Sequence, residues 1–321
     1  MKAIRFHRHG GTEVLVLDEL EEPTPGPGQV LVGVEGAGVN FIDVYLRTGF
    51  YPSPSLPAIA GKEGAGRVER LGPGVTDLAL GQRVAFFDAP GAYAEKVVVD
   101  AHRLVPVPEG ISGLDAAAVF LQGMTAHYLT HTIRPLKAGD RVLIHAVAGG
   151  VGLLATQMAK LAGAEVFGTC STPEKAELAR SFGADHVILY TEQDFVAEIL
   201  AATGGQGVDL AIDGVGKTTF EGSVRATRMR GHIIFFGQSS GEPDPIRPRR
   251  LLGSRTLTCA SLFEYCKERE ELLERAAAVF GWMEAGQLKP HIHQALPLAE
   301  AARAHQLLEG RKTRGKLVLV L

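Results

Sequence analysis

The chain has 321 residues, enough for about two domains of ~150 residues, each with a sizeable core. It is 45% hydrophobic and 21% charged with a formal net charge of -3, a balance that argues against a nucleic-acid footprint and against a polybasic membrane surface. No apolar run approaches the ~18 residues of a membrane span, and MKAIRFHRHGG lacks the apolar stretch of a secretion signal, so a cytoplasmic protein is expected.

In chain order, the N-terminal part reads as strands and turns. VLVGVEGAGV (30–39), EGAGRVERLG (63–72), QRVAFF (82–87) and EKVVV (95–99) are short, valine-rich and bounded by glycine, proline or aspartate. That pattern predicts an antiparallel, barrel-like β domain. From residue 123 apolar strands alternate with helical patterns: RVLIHAV, VGLLATQMAKLAG, AEVFGTC, TPEKAELARSFG, HVILY, DFVAEILAATG, GVDLAIDGV, a helix near 217–228, GHIIFFG and TLTCAS. Six strands with intervening helices predict a doubly wound parallel sheet of the Rossmann type, class α/β. A long helical pattern, KEREELLERAAAVFGWMEAG, then leads to a short helix and the strand GKLVLVL. This ending is expected to return to the β domain, giving a discontinuous domain of 1–122 and 266–321 around a Rossmann domain of 123–265. Cys170, Cys259 and Cys266 are odd in number and widely spaced, so they form neither a disulfide framework nor a zinc ribbon.

HAVAGGVG, residues 145–152, joins the first Rossmann strand to its helix. Val151, Leu154, Ala155, Met158, Leu161 and Ala162 fall at helical spacing and give that helix one buried face. A glycine-rich turn there aims free backbone N–H groups and a positive dipole end at an anion. Gly149 and Gly150 allow close approach of a pyrophosphate, with the Val151 backbone beside them, while Gly152 lets the helix pack on the strand. A second glycine stretch, GVGKTT (214–219), ends like a triphosphate loop, but Ala211 stands where that loop needs another glycine.

The end of the next strand selects the dinucleotide. NAD sites place an acidic residue there for the ribose 2′-hydroxyl. AEVFGTC instead runs into STPEK, whose tip offers Ser171, Thr172 and Lys175 where a 2′-phosphate would lie. Glu174 is accounted for by a capping box with Ser171. The cofactor expected is NADPH.

Together these residues resemble a known pattern. GDRVLIHAVAGGVGLLATQMAK (139–160) is similar to the signature of the zinc-independent quinone oxidoreductase and zeta-crystallin branch of the medium-chain dehydrogenase/reductase superfamily. GVNFIDVYLRTGFYP (38–52), GKEGAGRVERLGPGV (61–75), FLQGMTAHYL (120–129) and FFGQSSG (235–241) resemble the same family in the same order, so the likeness covers essentially the whole chain. Val147 departs from it, standing where the family has a small residue, and is expected to crowd the pyrophosphate slightly. The resemblance implies that the β domain is GroES-like. It implies that Lys175 meets the 2′-phosphate, that Tyr190 flanks it, and that Arg311 reaches the same end of the cofactor. Asn40, Thr125, Gly237 and Gln238 would surround the nicotinamide and its ribose, with Tyr45 and Tyr51 as aromatics beside it. Pairing of the last Rossmann strand with its twin would make a homodimer.

Zinc-dependent relatives hold a catalytic metal where Asn40, Lys62 and Gln122 stand here, and an ammonium with two amides lacks the donors zinc needs. His291 and His293 are a close pair on one strand but read as packing. No metal is expected. Lowering an alcohol's pKa is the work of a Lewis acid, so the acceptors expected are electrophiles that take hydride readily. Quinones come first, and enoyl or 2-haloacrylate-type conjugated carbonyl compounds are the alternative. Asn40, Tyr45 and Tyr51 are the hydrogen-bond donors expected to polarise the acceptor's oxygen. A third reading, a cofactor-binding structural or RNA-binding protein of the zeta-crystallin type, meets the objection that the chain has no basic stripe.

Overall fold

The computed structural model describes residues 1–52, 55–89 and 91–321. The chain divides into two compact units. The first gathers Met1–Gln122, Glu268–Gly286 and Pro290–Leu321, and the second holds Gly123–Lys267 with Gln287–Lys289.

The N-terminal segment runs through β1 (Lys2–Phe6), β2 (Val16–Glu19), β3 (Gln29–Val39) and α1 (Phe41–Thr48). It continues through β4 (Ala58–Ile59), β5 (Glu63–Leu71), β6 (Arg83–Phe87), β7 (Lys96–Asp100) and β8 (Val105–Pro106). Helix α2 (Gly113–His127) then carries the chain from the first unit into the second.

The second unit begins with β9 (Arg141–Ile144), α3 (Gly150–Leu161), β10 (Glu165–Cys170) and α4 (Pro173–Ser181). Next come β11 (His186–Leu189), α5 (Phe195–Ala202), β12 (Val208–Asp213), α6 (Phe220–Ala226), β13 (Thr227–Phe235) and β14 (Thr256–Cys259). After the short α7 (Leu262–Tyr265) the chain re-enters the first unit with α8 (Arg269–Glu284), β15 (Ile292–Pro297), α9 (Ala301–Glu309) and β16 (Lys316–Val320).

The eleven residues of β3 are the spine of the first unit, pairing antiparallel with β5, β7 and β16. Through β16 the chain's end becomes an interior strand of the sheet ordered β15-β16-β3-β5-β6-β8. Its apolar positions alternate inward with those of β3, so Val30, Val32, Leu317 and Leu319 share one core with Ile4, Phe6, Phe86 and Leu104.

In the second unit the strand order is β11-β10-β9-β12-β13-β14, all parallel. The order reverses between β9 and β12, and in such sheets ligands bind beyond the strands' carboxyl ends at that point. Right-handed crossovers put α3 and α4 on one face and α5 and α6 on the other. The second face is closed by Leu143, Phe167, Ile188, Ile199, Ala211, Phe220 and Ile233. The first strand is shorter than RVLIHAV suggests, because Ala146 turns into the left-handed region at φ 50 and ends it. The strand at GHIIFFG is longer, beginning at Thr227, with a register shift opposite Val208 and Leu210.

Candidate active site

The glycine turn is built by β9 and α3. Gly149 is the N-cap of α3 and provides no side-chain cap, so the N–H groups of Gly150, Val151 and Gly152 have no intrahelical acceptor. The helix dipole adds a partial positive charge at the same place. Only glycine fits at position 152, where a Cβ would lie 2.5 Å from the Ala146 carbonyl oxygen and 2.6 Å from that of Val147. Val147 does not crowd this turn. Its side chain is fully buried against β10 and reaches within 2.7 Å of where a Cβ of Gly168 would be, so the absent methyl at 168 accommodates the larger residue at 147.

At the tip of β10 the capping differs from the expected box. Thr172, not Ser171, is the N-cap of α4, its hydroxyl accepting the Lys175 N–H at 3.4 Å, with Pro173 in the first turn. The fixed φ of proline suits the first helical position and makes the preceding threonine the cap. Ser171 and Tyr190 are tied to the same corner: the Tyr190 N–H donates to the Cys170 carbonyl at 3.1 Å, and Thr191 Oγ1 donates to the Ser171 carbonyl at 3.2 Å. Ser171 and Tyr190 therefore follow the ends of the adjoining strands β10 and β11, and Lys175 lies in the first turn of α4. Gly237 and Gln238 follow β13, Thr125 is buried on α2, and Arg311, on the other unit, adopts φ 54.

GVGKTT is no phosphate loop. The N–H groups of Val215 and Gly216 donate to Asp213 Oδ1 at 2.9 and 3.0 Å, and that of Lys217 donates to the Gly241 carbonyl at 3.0 Å. Asp213 belongs to a buried polar chain absent from the sequence reading. Ser223 Oγ donates to Asp213 Oδ2 at 2.6 Å, and His145 lies 2.9 Å from Ser223 through Nε2 and 2.8 Å from Thr169 Oγ1 through Nδ1. Burial holds the His145 imidazole below its usual pKa, against the opposing pull of Asp213. This chain ties the residue after β9 to β10, α6 and β12.

In the first unit, Asn40 ends β3 and starts α1. Its N–H donates to Asp43 Oδ2 at 2.8 Å, the backward half of a capping box. Its side chain lies in a buried cluster. Asn40 Nδ2 donates to Glu63 Oε2 at 2.8 Å and to the Gly38 carbonyl at 3.2 Å, while Oδ1 accepts from Lys316 Nζ at 2.7 Å and from Gln122 Nε2 at 3.1 Å. Lys316 Nζ also donates to Glu63 Oε2 at 2.6 Å, with both side chains almost fully buried. Both Asn40 amide hydrogens are thus taken, and none is left to polarise an acceptor's oxygen. That part of the sequence expectation is corrected.

This donor set does not fit a zinc ion: an ammonium already sits between Asn40 Oδ1 and Glu63 Oε2, and amide oxygens are weak partners for zinc. Among the described residues no group of three or more His, Cys, Asp or Glu side chains could hold a metal.

Behind Asn40 a second buried network runs from Asp43 to Tyr93, His305, Arg47 and Glu309. The Tyr93 hydroxyl donates to Asp43 Oδ2 at 3.0 Å and lies 3.3 Å from His305 Nε2. Arg47 grips Glu309 with two hydrogen bonds of 2.9 and 2.7 Å. Burial lifts the Asp43 carboxyl to about 7, outweighing the Asn40 and Tyr93 hydrogen bonds that pull it down. Burial, then the Arg47 charge, pushes His305 down to about 3. Tyr45 and Tyr51 stand in an aromatic group with Phe41 and Phe50, their rings 5.2 Å apart edge to face, and Tyr51 is 39% exposed.

Two family models match the chain: the alcohol dehydrogenase GroES-like domain over residues 26–109 and zinc-binding dehydrogenase over 150–278. The chain is 42% identical to a quinone oxidoreductase of Pseudomonas aeruginosa, covering 99% of both. The chain belongs to the quinone oxidoreductase branch of the medium-chain dehydrogenase/reductase superfamily. Within this branch it is 41% identical to a 2-haloacrylate reductase of a Burkholderia species, covering 98% of this chain and 97% of that one. The crystal structure of Escherichia coli quinone oxidoreductase complexed with NADPH superposes with a TM-score of 0.97 at 39% identity and full coverage of both chains. Family membership makes the fold class an α/β Rossmann unit with a GroES-like unit, as the sequence patterns predict. For a quinone oxidoreductase the residues missed by sequence reasoning are Glu63 and Lys316. Lys316 is a charge opening the otherwise apolar strand KLVLV, the one signal that could have flagged it, whereas Glu63 shares its strand with Arg67, Glu69 and Arg70 and nothing local marks it out.

Proposed function

We propose that the protein is an NADPH-dependent quinone reductase that works without a metal. The observation that carries this reading is the uncapped N-terminus of α3 together with a β10 whose end, Cys170 and Ser171, carries no carboxylate of its own, followed by the first turn of α4, where Lys175 stands next to Glu174. The N–H groups of Gly150, Val151 and Gly152 would hold the pyrophosphate, and Lys175, Ser171, Tyr190 and Arg311 the 2′-phosphate end. Thr125, Gly237, Gln238 and the backbone of Asn40 would border the nicotinamide end. Bound NADPH supplies the reducing equivalents as hydride. The protein's own part is orientation and donors toward the acceptor oxygen, assigned to Tyr45 and Tyr51.

The near-equal identity to a quinone oxidoreductase and a 2-haloacrylate reductase favours a second reading of the acceptor, a conjugated carbonyl compound. A steady-state panel separates the two: quinones, enones and 2-haloacrylates, each with NADPH and with NADH. Quinone turnover with NADPH preferred supports the first reading, and turnover confined to haloacrylates or enones supports the second. Preference for NADH refutes the cofactor assignment. We further propose a cytoplasmic homodimer paired through β14. In support, β14 is the edge of the parallel sheet and is bonded only to β13 among the described strands, and symmetric pairing is a common way to cover such an edge. Among the described residues no helix is long and apolar enough to cross a membrane, and the charge of -3 favours small-molecule partners over nucleic acid.

A further inference from the structure

The formal charge of -3 is unevenly spread. Residues 225–255 hold seven arginines, no lysine and two acids, a net +5 that lies wholly in the second unit. The fold gathers these arginines at the amino-terminal ends of β13 and β14. The Arg230 N–H donates to the Gly253 carbonyl at 2.8 Å, and Arg255 Nε donates to the Thr227 carbonyl at 2.7 Å. Arg247, Arg249 and Arg250 belong to the 3-10 turn Pro248–Leu251 and its N-cap, and Arg250 pairs with Glu221 of α6, one helical turn from Arg225. Arg228 is held by Asp209 at 2.6 Å. The side chains of Arg225, Arg230, Arg247 and Arg249 make no hydrogen bond or ion pair among the described residues, and all four residues are exposed. Two apolar side chains stand among them. Met229 is 71% exposed and Leu252 62%, and they meet at Gly253, where a Cβ would lie 3.2 Å from Met229 Cγ. Arg230 and Ser254 hold the left-handed region, at φ 58 and 56, a backbone cost that such residues carry mostly at functional sites.

We propose that this face docks on the surface of an anionic bilayer, with Arg225, Arg230, Arg247 and Arg249 on lipid phosphates and Met229 and Leu252 entering the layer beneath. A bilayer interface supplies both halves at once: negative headgroups that attract basic side chains, and an apolar layer that takes exposed methyl groups. A guanidinium also matches a phosphate with two parallel hydrogen bonds. A nucleic acid would meet the arginines but leave Met229 and Leu252 against water, and residues 225–230 and 247–255 include no aromatic ring to stack on a base. A second copy seated on this face across a two-fold axis would set the same guanidinium groups against each other. Pairing through β14 would engage Thr256–Cys259, beyond these residues. Docking of this face does not depend on which acceptor the enzyme reduces.

The test is flotation of the full chain with vesicles of phosphatidylcholine alone, and of phosphatidylcholine with an equal part of phosphatidylglycerol, at low and high salt. Two variants at exposed positions are read beside the wild type: Arg230→Gln with Arg249→Gln, and Met229→Ser with Leu252→Ser. The wild type is expected on the anionic vesicles at low salt and not on the neutral ones. Removing the two arginines should lower partitioning at least about tenfold. Removing the two apolar side chains should lower it at least about threefold, with melting temperature and oligomeric state unchanged in both variants. A wild type that stays off anionic vesicles at low salt overturns the proposal, as does an arginine variant that binds them like the wild type. A serine variant bound as tightly as the wild type overturns the insertion of Met229 and Leu252. Binding of fluorescent oligonucleotides through the same arginines, with none to vesicles, assigns the face to nucleic acid instead. A change of oligomeric state in either variant, seen by light scattering, makes it an interface between copies and overturns the bilayer assignment.

Discussion

On the proposed reading, Lys175 is the side chain that contributes most to the cofactor preference. A charge-assisted hydrogen bond contributes about 1.5 to 3 kcal/mol, and each ~1.4 kcal/mol is tenfold in affinity. Lys175→Ala should therefore weaken NADPH binding by roughly ten- to a hundredfold and leave NADH almost unchanged, with Tyr190 and Arg311 retaining part of the preference. Fluorescence titration of both cofactors checks this, and an equal loss for both would mean that the lysine serves the fold. The reading of Lys175 came from sequence because it depends on one strand tip and the helix that follows. Asn40 shows the limit of that approach. Its residue type suggested a donor, but its hydrogens are taken by Gly38 and by Glu63, and its oxygen is held by Lys316. Glu63 and Lys316 lie 253 positions apart. No local pattern brings a charge from the last strand to one from the fifth.

Elements convert these choices into rigid parts. Helix α3 can lie against the turn only because residue 152 has no side chain. Gly152→Ala would force a methyl to within 2.5 Å of a backbone oxygen, costing about 1–3 kcal/mol of stability. It should also lower NADPH affinity at least about tenfold as the N–H groups shift; thermal melts and titration report the two effects, and a stable variant with normal affinity would refute the account of the turn. The network behind α1 gives a pH signature. Asp43 keeps its proton in the folded state up to about pH 7 against an ordinary value of 3.8, so its contribution falls as pH rises from about 4 to 7. His305 stays neutral down to about pH 3 against an ordinary 6.5, so its contribution rises over about pH 3 to 6.5. The two slopes oppose each other in the wild type. Asp43→Asn should expose a stability that rises with pH, and His305→Gln one that falls, each by up to ~1.4 kcal/mol per pH unit. Urea denaturation between about pH 4.5 and 6.5 measures both slopes; slopes of the same sign would contradict these protonation states. Parallel strands and helices were legible because their apolar runs are local. The early end of β9 was not, since an alanine gives no local signal for the left-handed conformation that Ala146 adopts.

For the whole molecule, pairing through β14 predicts a homodimer by light scattering, and a stable monomer at micromolar concentration would contradict it. The family likeness extends over the whole chain, yet the charge at the heart of the first unit is a lysine held by Glu63 and Asn40. On the proposed reading, that arrangement is the basis for reduction without a Lewis acid, and it would confine the protein to acceptors that take hydride unaided. The most direct test is NADPH oxidation with a quinone before and after prolonged chelation, with zinc content measured by atomic emission on the same samples. The account predicts an unchanged rate and no stoichiometric zinc. Near-stoichiometric zinc whose removal abolishes turnover would contradict it.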